Sequence, residues 1–295
     1  MADPTTPRDD LDLPVPLGPR PPRRVVSLVP SLTEAVAVTA PGLLVGATDW
    51  CSHPADLAVP RIGGTKNPDV PGVLALEPDL VIANDEENRR PDLDALRAAG
   101  VPVWVTDVRT LDDAFRSLDR LLTVACRLPR PAWLDEAEAA WAPVIREGTS
   151  GTTRMSGTSG TPGTSGTAGP ADREADGPTT IVPIWRRPWM VLGRDTFAGD
   201  LLQRLGLRLV HADHPERYPA VPLPELIALR PELVLLPDEP YRFTAEDGPD
   251  AFPGTPVALV SGRHLTWYGP SLVTAPAVLR QALGHPFVRG RDGAS

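Results

Sequence analysis

Residue types that can do chemistry gather just past apolar runs in this chain. "NDEENRR" (84–90) sets Asp85, Glu86 and Glu87 beside Arg89 and Arg90. Such a cluster can bind a hard cation, hydrogen-bond the amide groups of a ligand, or complement the dipole at a helix start. The sequence "EENRRPDLDAL" favours the helix start, and the roles are compatible. "DWCSHP" (49–54) offers Cys51 and His53, a thiolate and an imidazole suited to zinc or cobalt. Two ligands are too few for a closed zinc site, although His53 alone can serve a cobalt or iron macrocycle as an axial ligand. A loop cysteine and a half-exposed histidine before proline are the simpler reading. Trp50, beside them, gives a flat macrocycle a surface to stack on, or else covers the core. "GGTKNP" (63–68) is a tight turn carrying Asn67 and the chain's single lysine, Lys66. Lys66 can meet a carboxylate, an amide oxygen or a phosphate, or only solvent.

"IWRRPWMVLGRDT" (184–196) supplies Trp185, Arg186, Arg187 and Trp189. Aromatic rings with arginine suit an anionic or amide-rich planar ligand; the other reading is a surface hairpin with one tryptophan in the core. Tyr218, Tyr241, His264, Trp267 and Tyr268 follow further strand ends of this second half and are expected to join its cleft wall. His211 and His214 fit an exposed connection better than a metal pair. There is no G-x-S-x-G, H-E-x-x-H, Walker A or G-x-G-x-x-G sequence, and no nucleophile–base constellation stands out.

The elements that must position these residues alternate between strand and helix. "RVVSLV" (24–29) predicts a strand, and Ser31 with Glu34 predicts a capping box opening a helix. Strands are expected at 43–48, 79–84 and 101–107, with helices between and after them and Gly100 closing one. "RPAWLDEAEAAWAPVIREG" predicts a long helix. The pattern restarts at "TIVPIW" (180–185), with Asp195 or Thr196 capping the next helix. Alternation of this kind is the mark of open parallel sheets flanked by helices.

One unit is written twice. "ALEPDLVIANDEEN" (75–88) recurs as "ALRPELVLLPDEPY" (228–241), a constant offset of 228 − 75 = 153 residues. It reads as a helix, a proline turn, a buried strand and an acidic loop past the strand's carboxyl end, where open α/β sheets place ligands. Two Rossmann-like α/β lobes joined by the long helix, with a ligand cleft between them, are therefore expected. The boundaries are a disordered Pro-rich tail (1–24), a first lobe (25–127), a backbone helix (128–147), a Gly/Ser/Thr-rich flexible linker (148–179), a second lobe (180–286) and a tail (287–295).

The net charge of −9 argues against nucleic acid or an anionic membrane as partner. The first 24 residues contain neither an apolar h-region nor a lipid-attachment cysteine, which predicts a cytoplasmic protein without a membrane span. The two cysteines make no disulfide framework.

"RVVSLVPSLTEAV", "GATDWCSHP", "RIGGTKNPDVPGVLALEPDLVIAN" and "LRAAGVPVWVTDVRTLDDAFRSLDRLL" together resemble the helical-backbone metal receptor family, over about residues 25–285. These class III periplasmic-binding-protein-like proteins serve vitamin B12 and iron-siderophore ABC importers. The resemblance implies two α/β lobes on one rigid helix, with cobalamin, a ferric siderophore or haem in a shallow cleft. It implies that Trp50 is an aromatic platform and that the loop with Lys66 and Asn67 borders the ligand. The chain departs from the family in lacking a secretion signal or lipid anchor. The family's two permease-docking acids are not clearly kept, falling near Pro71 and beside Glu225. The expectation is a non-catalytic carrier, store or sensor in monomeric form, with a small-molecule metal complex as partner and an ABC permease as the candidate protein partner. It requires no cofactor and takes a corrinoid first, a ferric siderophore or haem next, as ligand. A metal-binding enzyme or metallochaperone using Asp85, Glu86, Cys51 and His53 is the alternative, and an importer receptor with its export signal missing is a third reading.

Overall fold

The β-branched run at 25–27 forms β1 (Val25–Ser27), fully buried, and the chain turns at once into α1 (Pro30–Thr39). The structure is a computed structural model and describes residues 6–150 and 177–288, the side chains of 145–150 and 288 excepted. Most of the linker expected at 148–179 and of the tail at 287–295 lies outside the described residues. Proline suits a first helical position because its φ is preset and its missing N–H has no partner there anyway. The helix therefore starts at Pro30, and the expected Ser31–Glu34 capping box does not form.

The chain divides into two units, residues 1–140 with 262–278 and residues 141–261 with 279–295. In the first, β2 (Leu44–Ala47), a hairpin of β3 (Gly63–Gly64) and β4 (Asn67–Pro68), α2 (Val70–Ala75), β5 (Leu80–Asn84), α3 (Arg90–Ala98), β6 (Val103–Thr106) and α4 (Leu111–Arg120) follow in turn. The parallel sheet runs β2-β1-β5-β6. Val26, Val81, Ala83, Val103 and Val105 bury one face against Val73, Leu93 and Leu96, and each large apolar side chain so buried is worth about 1.5–3 kcal/mol. Thr110 and Asp113 form a reciprocal capping box at α4, which continues as a π turn over Leu121–Ala125. α5 (Ala132–Ser150) follows. Trp133 of this helix donates through its indole N–H to Thr39 Oγ1 at 2.9 Å.

The second unit repeats this plan. It holds β7 (Thr179–Ile181), a hairpin of β8 (Pro183–Arg186) and β9 (Trp189–Val191), α6 (Phe197–Arg204), β10 (Arg208–Leu209), α7 (Leu223–Ala228), β11 (Leu233–Pro237) and β12 (Pro256–Val260). Thr196, not Asp195, caps α6. Strand order is β10-β7-β11-β12, the first sheet's order with its counterparts in place, and β13 (Phe287–Val288) adds antiparallel to β12. α8 (Gly262–Thr266), a 3-10 turn at Pro270–Val273 and α9 (Ala275–Leu283) lie between β12 and β13. The single strand expected at 180–185 is two strands, β7 and β8.

The repeat holds at the backbone. α2 and α7, and β5 and β11, share their bounds after a shift of 153 residues. Glu77 and Arg230, also 153 apart, are both left-handed, with φ of 44° and 48°. Each reverses the chain before a proline that cannot extend the helix.

Two boundaries differ from expectation. Residues 262–278, assigned by sequence to the second lobe, belong to the first unit. There Arg263 is bonded to Glu34 of α1. Nor do residues 6–24 behave as a disordered tail. Asp10 pairs with Arg120 and accepts from Ser117, Val15 is 1% exposed, and Asp9 is buried while accepting from the N–H groups of Leu11 and Leu13. A polar composition hides these specific acceptors. Asp10→Ala is expected to lower stability by about 2 kcal/mol by stranding its donors. An unchanged urea midpoint would show that the segment contributes nothing. Among the described residues no helix is long and apolar enough to cross a membrane.

Candidate functional site

In the first unit the carboxyl ends of β1, β5 and β6 are laced together by polar side chains. Asn84, at the end of β5, donates to the Thr106 carbonyl at 2.9 Å and accepts from the N–H groups of Glu86 and Glu87 at 2.9 and 3.1 Å. Asn88 accepts from the Asn84 N–H at 2.9 Å and donates to the carbonyls of Leu28 at 3.2 Å and Thr65 at 2.9 Å. One amide thus ties β1, the β3–β4 turn and β5. Sequence reasoning missed Asn84, Asn88 and Thr106. Their only local signal is a polar residue ending a buried apolar strand.

On this frame Asp85 is exposed and Glu86 and Glu87 are half-buried. Lys66 donates to the Glu86 carbonyl, so it is held by the acidic loop's backbone. Asn67 is exposed in β4. Burial, reinforced by the charge of Glu86, raises the Glu87 carboxyl above the usual glutamate value, while Lys66 acts against it. Tyr268 faces the same two acids, and burial raises its hydroxyl too. A carboxyl raised on folding destabilises the fold once ionised. That penalty is present above its folded pKa and fades as pH falls through it. Glu87→Gln is thus expected to raise the melting temperature at about pH 7 but not below about pH 4. Equal shifts at both would contradict burial as the cause.

Trp50 is 68% exposed in the loop after β2. His53 is half-buried, its Nδ1 3.0 Å from Ser52 Oγ and its ring edge-on to Trp267 at 5.4 Å. Trp267 and Tyr268 are each only 7% exposed. They back this face rather than continue the second lobe's wall, because residues 262–278 belong to the first unit. Cys51 is fully buried between the hydroxyls of Thr33 and Thr48 at 3.0 and 3.1 Å, and burial pushes its thiol up. That environment disfavours the thiolate a metal needs, so Cys51 is removed as a metal candidate. Among the described residues no group of three or more His, Cys, Asp and Glu is placed to hold a metal ion.

In the second unit the β8–β9 hairpin carries Trp185, Arg187 and Trp189. Trp185 is 42% exposed, donates to the Arg187 carbonyl at 3.3 Å and lies edge-on to Tyr241 at 5.6 Å. Tyr241 donates to Asp247 Oδ2 at 2.6 Å. Trp189 packs on Phe243 and Phe252, with ring centroids 6.0 and 5.5 Å away. Arg186 stands over Trp189 and pairs with Asp247 and Asp250. A groove of about 510 Å³ is lined by Arg186, Arg187, Pro188, Trp189, Ala220, Val221 and Pro222. Tyr218 is half-buried with the Arg217 guanidinium 5.9 Å from its ring. His211 and His214 lie 6.4 Å apart by ring centroid.

No family model matches the chain. The vitamin B12-binding protein of Pectobacterium carotovorum subsp. carotovorum (strain PC1) is 24% identical over 226 residues, 76% of this chain and 74% of that protein. The periplasmic vitamin B12 binding protein BtuF of Vibrio cholerae superposes with a TM-score of 0.65 at 17% identity, covering 90% of this chain and 99% of that one. The apo periplasmic haem-binding protein RhuT of Roseiflexus sp. RS-1 gives 0.65 at 20% identity, covering 88% and 97%. Both solved relatives are periplasmic proteins, so the cytoplasmic placement expected from the N-terminal sequence finds no support in them. In sequence the chain is similar to a vitamin B12-binding protein, and its fold is that of these two periplasmic binding proteins.

Proposed function

We propose that the chain is a non-catalytic binding protein for a bulky metal complex, with a cobalamin-like corrinoid as first ligand and haem or a ferric siderophore next. The observation that carries the reading is Trp50, an indole presented 68% exposed at a strand-end face. Burying such a ring against a flat macrocycle gives area and stacking without new backbone order. The relatives named for vitamin B12 support the corrinoid. So does the first unit's face, where Asp85, Glu86 and Glu87 outweigh Lys66 and suit amide groups better than ligand carboxylates. The bare-metal alternative loses its thiolate with Cys51.

The periplasmic relatives favour action outside the cytoplasm. A matched pair of docking acids is not part of this reading, because Glu225 of α7 corresponds, 153 residues earlier, to Gly72 of α2. Titration with cyanocobalamin, haemin and a ferric hydroxamate, followed by tryptophan quenching and absorbance, tests the proposal. Saturable quenching by one ligand is expected, with Trp50→Ala weakening it about tenfold or more. Silence from all three ligands sinks the proposal, and full affinity in Trp50→Ala sinks the platform.

A further inference from the structure

Trp50 sits in a loop that is fastened from behind. The chain returns beside β2 at 60–62, where Ala47 donates to the Pro60 carbonyl and accepts from the Ile62 N–H, each at 3.1 Å. Arg61 is fixed there, and its side chain reaches back across the loop. Its Nη1 donates to the carbonyls of Thr48 at 3.0 Å and Cys51 at 2.9 Å, and its Nη2 to that of Leu57 at 3.4 Å. Trp50 lies between the first two acceptors. The Cys51 N–H closes a turn onto the Thr48 carbonyl at 3.1 Å, and the Ser52 N–H bonds the Trp50 carbonyl at 2.9 Å. On the inner side the buried Cys51 thiol is held by two threonines. On the outer side the indole lies against Gly64, where a Cβ would stand 3.5 Å from Trp50 Nε1.

We infer that Arg61 is the positioning residue of the binding face, clipping the 48–57 loop so that Trp50 meets its ligand already ordered. The inference rests on the reading of Trp50 as the platform. Its physical basis is preorganisation. An exposed indole on a loose turn must be ordered on binding, and that ordering subtracts from affinity. A guanidinium can hold several carbonyls of one loop at once through its fixed fork of N–H donors. An ammonium on a flexible stem holds such a set less well.

The test compares wild type, Arg61→Gln, Arg61→Lys, Trp50→Ala and the Arg61→Gln/Trp50→Ala double variant, using cyanocobalamin and haemin as probes. Arg61→Gln is expected to weaken the bound probe roughly five- to twentyfold, and Arg61→Lys to recover only part of this. The double variant should bind no more weakly than Trp50→Ala alone, because Arg61 acts through Trp50. Emission anisotropy assigned to Trp50, by difference from Trp50→Phe, should fall in Arg61→Gln while the melting curve stays cooperative. Wild-type affinity in Arg61→Gln, or a loss that adds fully to that of Trp50→Ala, overturns the inference. If Arg61→Gln does not fold, the same comparisons are read in Arg61→Lys. If wild type binds neither probe, the binding proposal falls. The anisotropy comparison then decides separately whether Arg61 holds Trp50, and no change there overturns the clip itself.

Discussion

Glu34→Ala is expected to cost the first unit about 3–5 kcal/mol, the range for breaking a buried ion pair from one side. Arg263 Nε reaches Glu34 Oε2 at 3.2 Å while its Nη2 bonds Oε1, a two-pronged contact across 229 residues of sequence. The Glu34 side chain is only 5% exposed and that of Arg263 24%. Removing the carboxylate strands a largely buried guanidinium. Replacing both partners, as in Glu34→Leu/Arg263→Leu, is expected to recover much of the loss, because the penalty comes from the unpaired charge rather than from the pair's own strength. Urea midpoints of the single and double variants check this. A single variant as stable as wild type would mean that the 262–278 segment is not anchored through this pair.

Asn88→Ala is expected to lower stability by about 2–4 kcal/mol. It removes the acceptor for the buried Asn84 N–H and the donor to two carbonyls, and each buried group left unpaired costs about 1–3 kcal/mol. Asn88→Asp separates the two roles, since a carboxylate can still accept from Asn84 but cannot donate to Leu28 or Thr65. Hydrogen exchange should accelerate at the β3–β4 turn in both variants, because Thr65 is held through this amide. Wild-type exchange at that turn in Asn88→Ala would rule out the lacing of the strand ends described above.

What the sequence disclosed depended on whether the physics was local. The helix, proline turn and apolar strand at 75–84 and 228–237 were legible because each is dictated within a dozen residues, and their left-handed joints at Glu77 and Arg230 are the backbone form of the same words. A cap at 195–196, though not which of the two residues makes it, and the long helix at 132 were legible for the same reason. The bonds of Arg61, Asn88 and Arg263 were not, because their partners are carbonyls or acids brought close only by tertiary folding. Residue type alone also could not distinguish tryptophans. Trp50 stands in solvent, Trp267 backs His53 and Trp189 packs on two phenylalanines, yet each follows an apolar run beside polar residues.

The N-terminal segment and the return at 60–62 share a consequence for association between molecules. In the order β2-β1-β5-β6 the outer strands are β2 and β6, and outer strands present a template on which other chains can add. The backbone of Pro60–Ile62 occupies Ala47 at the end of β2, and the Asp10 N–H takes the Val105 carbonyl of β6 at 3.1 Å. Each margin is thus partnered by the chain itself at one point, Ala47 on β2 and Val105 on β6. The acids of "RDDLD" are spent within the chain, Asp10 on Arg120 and Asp12 on Arg8, and so fasten the segment at this margin. The segment thus bears on colloidal stability: a chain without it would leave the Val105 carbonyl open to a neighbour's N–H.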